Sequence, residues 1–177
     1  MVADPDASAD SGARYEVRLA RSDDAEAIRT IYNDEVVSGT ATFDIAERSP
    51  IEQRGWMAER TGAHVVLVAE IDGRVVGFGA LSRYKERPAY NTTVEDSVYV
   101  APGYQGRGMG RAILDELLEL AAGHGFHTVV ARIGHESVGS IAAHARVGFV
   151  EIGREREVGR KFGRWLDVVV MQHMLGR

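Results

Sequence analysis

A single α/β domain is what this sequence predicts, and three observations predict it. Strand-like and helix-like patterns follow one another along most of the chain. An Asp-Gly pair, Asp72-Gly73, separates two β-rich runs, which is a strong hairpin signal. A glycine-rich segment, residues 103–110, stands between a strand pattern and an amphipathic helix. The 177 residues suffice to bury one core, and neither an internal repeat nor a linker divides them.

Each element has a local cause. Residues 1–13 are rich in Ala, Asp, Ser and Gly, have little to bury, and are expected to be a disordered tail, leaving 14–177 as the domain. Residues 15–19 alternate as a strand does. Asp23 with Glu26 resembles a capping box ahead of a helix over 25–37. Ser49, Pro50 and Glu52 supply a cap, a first-position proline and a third-position acid for a second helix, which should stop near Thr61-Gly62. Residues 64–70 and 74–81 are the arms of the hairpin. Residues 83–93 are polar, contain Pro88, and read as a loop; residues 95–100 read as a strand. Ile113, Leu114, Leu117, Leu118 and Ala121 then form one stripe of a helix over 111–122. A strand over 128–133, a short helix over 140–147 and two strands over 149–153 and 165–174 complete the chain.

Composition removes whole classes of function. A net charge of -5 is a poor match for nucleic acid, which needs a concentrated basic face. No apolar run approaches the roughly 20 residues that cross a bilayer, so no membrane partner is expected. Residues 1–12 lack the order of a secretory signal, and a cytoplasmic protein fits best. With no cysteine there is no disulfide, no thiolate catalysis and no Cys-based zinc site. His124, His127, His135 and Glu136 have no convincing ligand spacing, so no metal is expected.

Gln105-Gly106-Arg107-Gly108-Met109-Gly110 carries the first chemical signal. Closely spaced glycines let backbone N–H groups converge on an anion, and a helix N-terminus adds partial positive charge. Arg107 and Arg111 add formal charge, so a phosphate or pyrophosphate is the natural guest. A Walker A loop fails because no lysine is near, and a dinucleotide fingerprint fails because Arg111 stands where its third glycine belongs. What remains is Q-x-x-G-x-G, spelled by Gln105, Gly108 and Gly110.

That motif, between a strand and a helix, resembles the pyrophosphate-binding loop of the GCN5-related N-acetyltransferases, and the order of elements agrees over residues 15–175. Tyr32-Asn33, Thr42-Phe43, Arg87-Pro88-Ala89-Tyr90, the run from Val94 to Val100, His144 with Gly148-Phe149, and the run from Gly163 to Val168 are similar to the phosphinothricin acetyltransferase branch. The resemblance implies an α/β (α+β) fold: a mixed, mostly antiparallel sheet, flanked by helices, with two central parallel strands splayed apart. Here those strands would be 95–100 and 128–133, with acetyl-CoA lying in the opening as co-substrate. Backbone groups of Val98, Tyr99 and Val100 would pair with its pantetheine arm. The segment Gln105, Gly106, Arg107, Gly108, Met109, Gly110 and Arg111 would hold its pyrophosphate.

The implied reaction is direct acetyl transfer to a primary amine of a small amino-acid-like substrate, of the phosphinothricin, methionine sulfoximine or methionine sulfone class. The amine must lose a proton to attack, and a free α-amino group has a pKa of about 8. The resemblance places the general base at Glu95; Asp96 points the other way along a strand and is the lesser candidate. His144 stands where many relatives keep a tyrosine near the leaving thiolate, and it would share the proton traffic with Glu95. The family often has asparagine seven residues earlier, touching the cofactor; this chain has Ser137, which shares a helical face with Ser140 and His144. Phe43, Lys85, Arg87 and Tyr90 fall where the branch forms its acceptor pocket, and a guanidinium, an ammonium and a phenol suit an oxidised or anionic tail. Homodimerisation is implied by the resemblance alone. Two other functions fit the same fold: an acetyltransferase acting on a peptide or protein amine, and a CoA-binding sensor without catalysis.

Overall fold

The computed structural model describes residues 15–176; the tail expected over residues 1–13 lies outside them. In chain order the elements are β1 (Glu16–Leu19), α1 (Ala25–Ser38), α2 (Pro50–Ala58), β2 (Val66–Ile71), β3 (Arg74–Arg83), β4 (Thr93–Val100), α3 (Met109–Gly123), β5 (Thr128–Gly134), α4 (Val138–Arg146), β6 (Val150–Lys161) and β7 (Arg164–Met174). The strands form one sheet in the order β1-β2-β3-β4-β5-β7-β6. Every neighbouring pair is antiparallel except β4 with β5. The mixed, mostly antiparallel sheet expected from the sequence is present.

Helices cover both faces of the sheet. On one face Ile28, Ile31, Tyr32 and Val36 of α1 pack against Val66, Val68, Phe78 and Ala80. On the other, Met109, Ile113, Leu117 and Ala121 of α3 pack against Leu67, Leu81, Val94, Val129 and Ala131. The predicted stripe of α3 is therefore its buried face, with Leu118 half-buried at the margin. Burying a side chain of this size stabilises by about 1.5–3 kcal/mol, so these stripes decide how the helices sit. No helix among the described residues is long and apolar enough to cross a membrane.

Local signals explain most of the boundaries. Ser49 and Glu52 form the reciprocal capping box, with Pro50 first in the helix. Asp72 and Gly73 take φ 49° and 78° and close the β2–β3 hairpin. Two expectations need correction. Asp23 and Glu26 form no capping box: a 3₁₀ turn at Ser22–Asp24 leads into α1, and Asp24 accepts the Arg21 N–H instead. The Arg18 guanidinium holds both oxygens of Asp24, at 2.7 and 2.9 Å, and so fixes that carboxylate outside the helix. The strand expected over 149–153 in fact runs to Lys161 and turns at Phe162-Gly163 into β7. It is the outer strand of the sheet, exposed along most of its length, so no buried alternation marks it. Its charged run also discourages pairing with other chains.

Candidate active site

The parallel pair sets the geometry. β4 and β5 pair only from Thr93↔Thr128 to Asp96↔Ala131. Beyond Asp96, β4 continues beside β3 alone, and β5 continues beside β7. A wedge therefore opens at Asp96, and the backbone of Val98, Tyr99 and Val100 lines it without a β5 partner. An extended arm carrying amide groups fits such an edge, as an added strand would.

The glycine loop follows where β4 ends. Gly103, Gly106 and Gly108 take φ 81°, 76° and 84°, and Gly108 delivers the chain into α3 with no side chain capping the helix. The N–H groups of the first turn have no helical acceptor and face outward as anion donors. Met109 is buried, so its part in such a site is its backbone. Gln105 turns its side chain back to the Val100 carbonyl at 3.2 Å, tying the loop to the wedge. Arg107 folds onto the Gly103 carbonyl at 2.9 Å, a neutral partner that leaves its charge unmatched. Arg111 is drawn toward Asp115 at 3.5 Å. The loop and strand edge thus have the donor set that a pyrophosphate with a pantetheine arm requires.

Strand alternation separates Glu95 from Asp96. Asp96 faces α4, where His144 Nε2 lies 2.9 Å from its Oδ2; both side chains are buried. His144 Nδ1 lies 2.7 Å from the Ser140 carbonyl oxygen, which only accepts, so Nδ1 carries a hydrogen. The contact at Nε2 then needs a proton of its own, on the ring or on the carboxyl. Burial alone would push His144 down, but the hydrogen bond and charge of Asp96, with the Ser140 carbonyl, hold its pKa above the ordinary histidine value. Asp96 Oδ1 is buried with no partner. Glu95 and His144, joined in proton traffic by the sequence reading, therefore stand on opposite faces of β4. Ser140 engages the histidine mainly through its carbonyl, its hydroxyl being 3.4 Å away. Ser137 starts α4 without capping it by its side chain.

On the α1–α2 face, Glu95 is half-buried. Burial raises its pKa above the ordinary carboxylate value; Arg132 works against that rise, and the charges of Asp96 and Glu155 add to it. Arg132 of β5 shares this face with Glu95, because Glu95 pairs with Val130 and Arg132 is two residues on. It is bonded to Glu155 of β6.

The segment between α1 and α2, residues 39–48, arches over the same face. The Tyr32 hydroxyl bonds Thr42 Oγ1 at 2.8 Å and donates to Asp44, while the Arg48 guanidinium lies 3.6 Å over the Tyr32 ring. Buried Lys161 donates to the Thr42 carbonyl at 2.9 Å. Phe43 rests on Gly159 of β6. Among the expected acceptor residues, Lys85 and Tyr90 are brought together: the Lys85 ammonium lies 4.7 Å from the Tyr84 ring centre and 5.1 Å from that of Tyr90. Arg87 is exposed and leads into the short 3₁₀ turn Pro88–Tyr90. Sequence reasoning passed over Arg132 and Glu155. Alternation puts residues 130 and 132 on one face of β5, but the register that sets that face beside Glu95 comes from the sheet; Glu155 lies beyond the strand expected over 149–153. Among the described residues no group of three or more His, Asp or Glu side chains is arranged so that it could hold a metal ion.

Comparison with known proteins agrees with this geometry. The family described as "Acetyltransferase (GNAT) family" matches residues 25–149. A phosphinothricin N-acetyltransferase of Alcaligenes faecalis is 40% identical over 161 residues, covering 90% of this chain and 82% of its own. An L-methionine sulfoximine/L-methionine sulfone acetyltransferase of Salmonella typhimurium (strain LT2) is 36% identical, covering 90% of this chain and 94% of its own. The crystal structure of a GNAT superfamily phosphinothricin acetyltransferase from Sinorhizobium meliloti in complex with AcCoA superposes with a TM-score of 0.89 at 36% identity, over 92% of this chain and 89% of that one. The splayed sheet, the Q-x-x-G-x-G loop and these likenesses lead to one conclusion: the chain belongs to the GNAT family, close to its phosphinothricin acetyltransferases, and is an N-acetyltransferase.

Proposed function

We propose that the protein transfers the acetyl group of acetyl-CoA directly to the α-amine of a small amino-acid-like acceptor of the phosphinothricin, methionine sulfoximine or methionine sulfone class. The observation that carries this reading is the position of Glu95, a half-buried carboxylate one residue before β4 parts from β5. Val98, Tyr99 and Val100 hold the extended arm of acetyl-CoA by backbone pairing, and the loop from Gln105 to Arg111 holds its pyrophosphate. When bound there, it supplies a thioester whose acetyl carbon accepts an amine. Glu95 takes a proton from the acceptor ammonium, directly or through water, and leaves the neutral amine; as its C–N bond to the acetyl carbon forms, the C–S bond breaks and coenzyme A leaves as the thiol with the second proton given up by the nitrogen. Burial raises the pKa of Glu95 and so makes it a stronger base than a solvated carboxylate.

Phe43 and Tyr90 border the acceptor, and Lys85 and Arg87 receive its oxidised tail. The names of the relatives support this class of acceptor. Homodimerisation belongs to the same reading; the exposed Val158, Phe162 and Trp165 near the β6–β7 turn support it and offer apolar contact.

The test is thiol release from acetyl-CoA against a panel: phosphinothricin, methionine sulfoximine, methionine sulfone, ordinary amino acids, a polyamine and a short peptide. Saturable turnover on the first three is expected. Turnover on the peptide or polyamine alone would overturn the acceptor assignment and leave the chemistry standing. Binding of acetyl-CoA with no turnover on any amine would favour the sensor.

A further inference from the structure

We propose that Arg132 is a specificity-determining residue that receives the acceptor's α-carboxylate beside Glu95, with Glu155 holding its guanidinium in place. This deepens the reading above and rests on it, since it names the group that recognises the end of the acceptor nearest the reacting amine.

Placement comes first. Arg132 and Glu95 lie on the same face of two paired strands, two residues apart in register, where β4 and β5 begin to separate. The carboxylate of an α-amino acid is two bonds from its amine. A group that binds it must therefore lie within one side chain's reach of the base, on the base's face of the sheet. Arg132 meets that condition from β5. Arg132 also works to lower the pKa of Glu95, as a positive charge on the same face does.

Availability comes second. Glu155 accepts from Nη2, and no other acceptor among the described residues takes the remaining N–H groups of Arg132. The side chain is 38% exposed, and so is that of Glu155. A guanidinium pinned at one nitrogen keeps Nε and Nη1 as donors for a second carboxylate. Its neighbour two residues on, Gly134, is covered by the Thr40 carbonyl, which a side chain there would meet at 2.9 Å. The arch of residues 39–48 therefore closes over β5 immediately past Arg132, and Phe43 on Gly159 continues that wall across β6. Arg132 thus stands open at the edge of the face that the arch covers.

The experiment compares methionine sulfone with its α-carboxamide in the wild type, Arg132→Ala and Arg132→Lys. Acceptor affinity is read by calorimetry with CoA present, and turnover by thiol release. In the wild type the acid should bind more tightly than the amide. Arg132→Ala should weaken the acid roughly tenfold and move the amide by less than about twofold; Arg132→Lys should recover part of the loss. Circular dichroism and CoA affinity, unchanged in Arg132→Ala, would establish that the variant folds. The titration of Glu95 gives a second readout. The charged groups that act on it are Arg132 from β5, Glu155 from β6 and, from the opposite face of its own strand, Asp96; Arg60 bonds Ser82, the register partner of Glu95 on β3. Loss of Arg132 should therefore move the acid limb of the rate profile to higher pH.

Equal affinity for acid and amide in the wild type, or a preference that Arg132→Ala leaves intact, overturns the assignment. The two readings fail differently. No thiol release in the wild type, with an acid preference that Arg132→Ala abolishes, sinks the acetyl-acceptor reading and keeps Arg132 as a carboxylate site. Normal turnover with an unaltered acid-to-amide ratio does the reverse.

Discussion

Glu95 and Asp96 are adjacent in the chain and do different work because a strand turns successive side chains to opposite faces. Asp96 is closed into a buried contact with His144, and breaking such a pair costs about 3 kcal/mol or more. Asp96→Asn is expected to lower stability by about that much at about pH 6, measured by urea unfolding. The sign of its pH dependence follows from the raised pKa of folded His144. Proton uptake stabilises the fold fully below the unfolded histidine value of about 6.5, and the contribution is lost as pH rises through the folded value. The gap between wild type and Asp96→Asn should therefore shrink as pH rises above the unfolded histidine value of about 6.5. A constant gap would mean that the pair carries no linked proton. The resemblance nominated Glu95, and alternation turned Asp96 to the other face. Neither gave any sign of the Asp96–His144 contact, which spans 48 residues and depends on where α4 docks.

Elements were legible where their signals were local. The capping box of α2 and the Asp-Gly turn of β2–β3 use interactions within a few residues, and both are present as read. The start of α1 misled because Arg18, six residues away on β1, competes for Asp24. The outer half of β6 was illegible because its register depends on β7 and two bulges, not on a pattern of its own. The arch of residues 39–48 is also held from a distance, by Tyr32, Lys161 and the bare backbone of Gly134. Gly134→Ala should push the arch off β5, because the new carbon would meet a backbone carbonyl, which yields poorly. The acceptor KM should rise several-fold with acetyl-CoA affinity unchanged, read by steady-state kinetics and calorimetry. A matching loss of acetyl-CoA affinity would show instead that the arch supports the wedge.

At the scale of the whole molecule, one sheet separates two tasks. The wedge and glycine loop sit where β4 leaves β5 and α3 begins, while the face proposed for the acceptor lies under α1, α2 and the arch. Both cores share this sheet, so they are expected to unfold together. Leu117→Ala on one face and Ile28→Ala on the other should each cost about 3 kcal/mol in a single urea transition; two resolved transitions would contradict one cooperative unit. The overall architecture was readable from the sequence because the Q-x-x-G-x-G loop and the order of elements together resembled the family whose fold the chain shares. The grouping of Arg132 and Glu155 beside Glu95 was not, since the three residues come from three strands brought together only by the sheet. The most direct test of the account is thiol release by wild type and Glu95→Gln at saturating acetyl-CoA and methionine sulfone, followed across pH. Wild-type kcat should rise through a carboxylate whose pKa lies above the ordinary range, and Glu95→Gln should lose about a hundredfold in kcat while binding acetyl-CoA normally. An unchanged kcat in Glu95→Gln near neutral pH would contradict it.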